Sequence, residues 1–167
     1  MITEQISEDL DDFPRLTALV KAYKDITKKH VFESDSYEDV VQIDWCVVLI
    51  IPPPDGRYSP ASIGCGEAHL KELIHALTSA IRKAVLLRSK DLSARYSNVY
   101  KCDSFYDVPK VELISDSGTE SIRIHIPNDT QELSVGLTTD EAVKAVEVLN
   151  SALSRGPELL DELKDIQ

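Results

Sequence analysis

Five side chains in this sequence have the types and order that covalent chemistry needs: Cys65, His69, Glu72, His125 and Asn128. Cys65 opens a long helical pattern, where the macrodipole favours a thiolate. His69 lies four residues on and Glu72 three further, so a helix would line thiol, imidazole and carboxylate along one flank. Those are a nucleophile, a base and an orienting group. A second arrangement pairs Cys65 with His125 on a later alternating segment, followed by Asn128 or Asp129.

Thiol at the start of a helix, then histidine and an amide or acid on a sheet, is an order that resembles papain-like cysteine hydrolases. The resemblance implies a small thiol hydrolase with Cys65 as nucleophile and His125 and Asn128 as its partners. The chain departs from that pattern, because no Gln stands shortly before Cys65 and no aromatic residue follows it. Cysteine is also among the residue types most often buried, and this flank borders an apolar stripe. Packing is therefore the preferred reading of Cys65, and the enzyme is the alternative.

Other chemistry finds less support. Cys65, His69 and His75 are a poor metal set, since His75 points about 120° away from His69 on a helix. Cys46, Cys65 and Cys102 are odd in number and widely spaced, with no CxxC pair, so neither a zinc ribbon nor a disulfide framework is expected. Reduced thiols in a cytoplasmic protein fit them best. The Gly-Cys-Gly at 64–66 lacks the spacing of a dinucleotide or phosphate loop. No metal and no cofactor is expected. DSGTES at 116–121 has the form of a phosphodegron, yet fits a plain hairpin turn better.

Charge narrows the partners. The chain of 167 residues carries a net charge of -11, which argues against phosphate-backbone binding. Residues 1–64 contribute -6, 65–110 contribute +3 and 111–167 contribute -8. Arg82, Lys83, Arg88, Lys90 and Arg95 form a basic patch without interleaved aromatics, so it reads as an ion-pairing face. The longest apolar run, Cys46 to Ile51, is too short to span a bilayer. MITEQISEDLDDF lacks the apolar core of a secretory signal.

The elements that must position these groups follow from periodicity. Leu70, Leu73, Ile74, Leu77, Ile81, Ala84 and Val85 stripe a helix over about 66–90. Ile2, Ile6 and Leu10, four apart among acids, predict a short amphipathic helix or a docking arm over 1–12. Leu16, Leu19, Val20, Tyr23 and Ile26 predict a second helix after Pro14, with Lys28, Lys29 and His30 in its last turn. Residues 32–39 read as an acidic connection, and Val40–Ile51 as a central strand covered on both faces. Pro52 begins a loop of about 13 residues, a length that is often functional. After an irregular stretch at 97–107, the segments 108–114, 121–126 and 132–137 predict a three-strand meander. Thr138 and Glu141 form a capping box for a helix over 139–154. Gly156 and Pro157 should stop it, leaving a short terminal helix over 158–167. No internal repeat is visible.

The expected fold is one α+β domain over 1–167. In it an antiparallel sheet, a three-strand meander plus a central apolar strand, packs against the long helix and a C-terminal helix. The expected function is a non-enzymatic, acidic protein-binding factor such as an inhibitor, immunity protein, chaperone-like factor or adaptor. Its binding residues would be Glu8, Asp9, Asp11 and Asp12 with Leu159, Leu160 and Leu163. The partner is a protein of basic character, and a homo-oligomer or a structural subunit of a larger assembly are the other associations; membrane and nucleic acid are not expected.

Overall fold

Alternation, not helical spacing, governs the first third of the chain. The computed structural model describes residues 1–53, 60–89, 96–100, 109–116, 119–127 and 132–166. Strands β1 (Ile2–Asp9), β2 (Thr17–Val31), β3 (Ser36–Ile51) and β4 (Ala61–Cys65) form an antiparallel sheet in chain order. In β2 the small residues Ala18, Val20 and Ala22 are buried while Leu19, Lys21 and Tyr23 face outward. The expected second helix is thus corrected to a strand. Leu16, Leu19, Val20, Tyr23 and Ile26 satisfy a helical stripe by coincidence, and pairing with β1 and β3 on both sides decides the outcome. Residues 2–9 are corrected likewise from helix or arm to strand, because Ile2, Ile6 and Leu10, at even spacing, suit a period of two as well as a helix.

The long helix is α1 (Glu67–Ser89), and its N-cap carbonyl on Gly66 accepts from the Leu70 amide. Then come β5 (Tyr96–Tyr100), β6 (Lys110–Asp116), β7 (Thr119–Pro127) and β8 (Glu132–Leu137), a second four-stranded antiparallel sheet in chain order. The expected meander is its last three strands, and the central apolar strand belongs instead to the first sheet. The loop after Pro52 is shorter than expected, since residues 61–65 pair with β3. Part of the stretch read as irregular, residues 97–100, belongs to strand β5.

α2 (Thr139–Asp165) carries the expected capping box, with the Thr138 hydroxyl accepting from the Glu141 amide and the Glu141 carboxylate accepting from the Thr138 amide. It does not stop at Gly156-Pro157. Pro157 has no N–H to give to the Leu153 carbonyl, yet the helix runs on, because tertiary contacts hold both sides of the break. A Cβ on Gly156 would sit 2.1 Å from the Trp45 ring, so the glycine is a seat for that indole. Beside it Arg155 pairs with Glu8 on β1 and with Glu158 and Glu162 on the next turns. No described helix is long and apolar enough to cross a membrane.

Among the described residues the element order is four strands and a helix, twice over. α2 packs on β2 and β3, α1 packs on β6 and β7, and the helices pack on each other. Each half therefore lends its helix to the other's sheet. The exchange is reciprocal throughout: β4 touches β7 as β8 touches β3, and α2 touches β1 as α1 touches β5. The repeat that the sequence hides becomes readable once β4 is laid on β8. At an offset of 72, Ser62, Gly64, Leu77, Ser79, Ala80 and Leu87 meet Ser134, Gly136, Leu149, Ser151, Ala152 and Leu159. The buried positions follow the same register. Ala18, Val20 and Ala22 match Val111, Leu113 and Ser115, and Val47, Leu49 and Ile51 match Ile122, Ile124 and Ile126. One continuous core collects them.

Candidate functional site

Cys65 is the last residue of β4, just before the N-cap of α1, and it is fully buried in the core. It therefore does not share a helix flank with His69 and Glu72. His69 is half-buried on the first turn of α1, and one Glu72 carboxylate oxygen, Oε2, is buried with no hydrogen-bond partner. His125 projects from β7 on the side opposite Ile124 and Ile126, which are fully buried. It thus lies on the outer face of the second sheet while Cys65 lies in the interior. Its Nδ1 is 3.2 Å from Glu132 and its Nε2 is 4.0 Å from Glu112. Lys110 also reaches Glu132, at 3.4 Å. Lys110 and Glu132 make an ion pair beside the imidazole, whose Nε2 is buried with no hydrogen-bond partner. Asn128, Asp129, Lys90, Arg95, Cys102 and the turn at 117–118 lie outside the described residues. Among the described residues no three His, Cys, Asp or Glu converge as metal ligands.

The expected partner-binding residues divide. Leu159 and Leu163 are buried against the chain's own core, and Leu160 is half-buried beside them. They belong to the unbroken α2, so the two buried leucines are corrected from docking residues to core. Glu8 is taken up by Arg155, which hydrogen-bonds its carboxyl and holds it below the usual carboxylate range. Asp9, Asp11 and Asp12 remain together at the end of β1. With Leu10 and, from α2, Lys144, Glu147, Val148 and Ser151, they line an open depression of about 380 Å³.

That depression is fixed by neighbouring contacts. Arg15, in a left-handed conformation at φ 62°, reaches across to Glu141 at 2.5 Å. The hydrogen bond from Arg15, with that from the Thr138 amide, lowers the Glu141 pKa. The turn that presents Asp11 and Asp12 is thus tied to the capped start of α2. Phe13 and Leu16 anchor it from below as buried side chains.

No known protein family, curated protein or solved structure matches the chain. The site must be read from its own chemistry.

A second depression, of about 310 Å³, was hidden by reading residues 16–30 as a helix. It lies on the outer face of the first sheet, where Lys21 pairs with Cys46 and Tyr23 with Asp44 in the strand register. Gly64 leaves room there, since a Cβ would touch the Cys46 sulfur at 3.6 Å. Burial pushes the Cys46 thiol up, with the Lys21 ammonium pulling weakly the other way. Burial also raises the Tyr23 phenol. A thiol held protonated is a poor nucleophile. A period of two applied to LVKAYKD would have placed Lys21 and Tyr23 on one face.

The twin sheet sharpens the contrast. Leu19, Val48 and Ile50 on the outer face of the first sheet correspond in register to Glu112, Arg123 and His125 on the second. The same positions are apolar in one half and polar or charged in the other. The fold tolerates both.

Proposed function

We propose that this chain is a non-enzymatic binding protein that holds a basic segment of another protein against the acidic junction of β1 and α2. The observation that carries this reading is the depression where Asp9, Asp11, Asp12 and Glu147 face a single cation, Lys144. Seven carboxylates against three bases along α2 extend the negative potential, and a net charge of -11 deepens it. Such a field steers a basic partner toward the site and repels acidic competitors. Inhibitor, immunity protein, chaperone-like factor and adaptor are variants of this one act, acting in the cytoplasm. The complete burial of Cys65 gives the hydrolase alternative no accessible nucleophile.

Titration calorimetry with a lysine-rich polypeptide tests the proposal. Binding is expected to weaken as salt rises. It should disappear when Asp9→Asn, Asp11→Asn, Asp12→Asn and Glu147→Gln are combined. No binding to the intact chain, or equal binding by the combined variant, sinks it.

A further inference from the structure

The first sheet has an open edge that leads into the acidic depression. In the order β1-β2-β3-β4 the outermost strands are β1 and β4, and β4 lies against β7. β1 has β2 on one side and, among the described residues, no strand on the other. Of its eight residues only Ile6 is half-buried, and the rest are exposed.

The register says which backbone groups point out of the sheet. The Leu10 amide donates to the Ala18 carbonyl at 2.8 Å, and the same register sets Glu8 opposite Val20 and Ile6 opposite Ala22. An antiparallel ladder uses every second residue. Ile6, Glu8 and Leu10 therefore turn their amides to β2, while Gln5, Ser7 and Asp9 turn theirs outward, as a further strand would need. A register shift between Ile2 and Glu4 ends this regular edge on one side. On the other side it runs into the depression at Asp9.

Charge selects the occupant of the edge. β1 carries Glu4, Glu8 and Asp9 and no Lys or Arg, so a second copy of β1 is repelled. On the sheet face toward α2, Ile6 and Leu10 pack on the core and Glu8 meets Arg155. That one guanidinium is shared with Glu158 and Glu162 as well, a single positive charge among three negative ones. A strand laid beside β1 sends alternate side chains to this acidic flank of α2.

We infer that the basic segment binds as an added strand on the β1 edge, extended, with lysine or arginine at alternate positions aimed at α2. This geometry rests on the basic partner proposed above. The backbones of Gln5, Ser7 and Asp9 supply the hydrogen bonds, and the carboxylates of β1 and α2 supply the selection.

Titration calorimetry on the full chain with two synthetic peptides provides the test. In one, lysine alternates with threonine; the other is the same peptide with every backbone amide N-methylated. The two carry equal charge, and only the first can pair. The first is expected to bind, and N-methylation to weaken binding by about tenfold or more. Ser7→Pro removes one outward amide and leaves the pairing with β2 intact, as proline on an edge strand does. It should weaken binding of the first peptide, while Ser7→Ala should not. Where Ser7→Pro misfolds by circular dichroism, the pair of peptides decides alone. Equal affinity for both peptides, or undiminished binding by folded Ser7→Pro, overturns the added strand. If that binding still disappears when Asp9, Asp11, Asp12 and Glu147 are neutralised together, the basic partner stands without it. Binding of polylysine but not of the alternating peptide also overturns the strand alone, and binding of neither overturns both readings.

Discussion

Trp45 is the only tryptophan, and it rests where Gly156 has no side chain. Replacing Gly156 with Ala gains about 1 kcal/mol of helix propensity. It also drives a methyl into the indole, and overpacking of a rigid ring costs about 1–3 kcal/mol. A net loss in denaturant unfolding is expected, along with a shift in Trp45 emission; Trp45→Leu in the same chain should recover most of it. A second residue-scale prediction concerns pH. The hydrogen bond from Arg155 sets the Glu8 carboxyl below its ordinary value of 4.5. The folded chain thus takes up that proton less readily than the unfolded chain does. The pairing stabilises fully above the unfolded value and is lost as pH falls through the lower folded one. Glu8→Gln should therefore be less stable than wild type at neutral pH, and the gap should close as pH falls through the lowered folded value. A gap that persists in acid would refute the pairing. Thiol labelling supplies a third. Cys46, beside the outer depression, should react before Cys65, and faster as pH rises, because only its thiolate attacks.

At the scale of elements, legibility depended on whether one period or two fitted the residues. α1, the meander and the capping box were readable because Leu70, Leu73 and Leu77 fit only a helix, and Ile122, Ile124 and Ile126 only a strand. Residues 16–26 fitted both, and Ala18 and Ala22 are too small to announce a buried face. Gly156-Pro157 carried an ordinary stop signal that Trp45, far away in sequence, overrides. Those two misreadings account for the rest: β2 hidden as a helix concealed the outer depression, and the split of α2 made Leu159 and Leu163 look available. The acids Asp9, Asp11 and Asp12 were identifiable from charge alone, although the depression around them required α2. Past Asp25 and Gln42, β2 and β3 run on together as a ribbon, residues 26–41, joined to β1 through the Met1 and Ile26 backbones, and it yields a prediction of its own. Replacing residues 26–41 with Asn-Gly joins Asp25 to Gln42, which are register partners, through the two-residue turn that suits such hairpins. The shortened chain should keep its Trp45 emission, and its stability should change by about 1 kcal/mol or less, a few degrees in melting temperature. Loss of cooperative unfolding would mean that the ribbon is part of the fold.

The whole molecule is two interlocked copies of one plan, and the interlock has a consequence for fragments. The sheet of residues 1–65 is covered by α2, and the sheet of residues 96–137 by α1. Each helix also touches strands of its own half, but most of the cover on each sheet comes from the helix of the other half. The exposed inner faces would include Val47, Leu49, Ile122 and Ile124, all fully buried in the intact chain, and burying each such side chain stabilises by about 1.5–3 kcal/mol. Fragments 1–92 and 93–167, cut between α1 and β5, are therefore expected to be unfolded or aggregated when made separately. Mixed, they should assemble one to one and recover the Trp45 emission of the intact chain, since Trp45 from the first fragment needs Gly156 from the second. Assembly should depend on concentration, because the cut removes the effective concentration that the linker imposes. If the fragment 1–92 folds alone as a monomer, the exchange of helices is not what holds the molecule together. If it folds as a symmetric pair, α1 has taken the place of α2 on its own sheet, which the matched buried positions of the two helices allow.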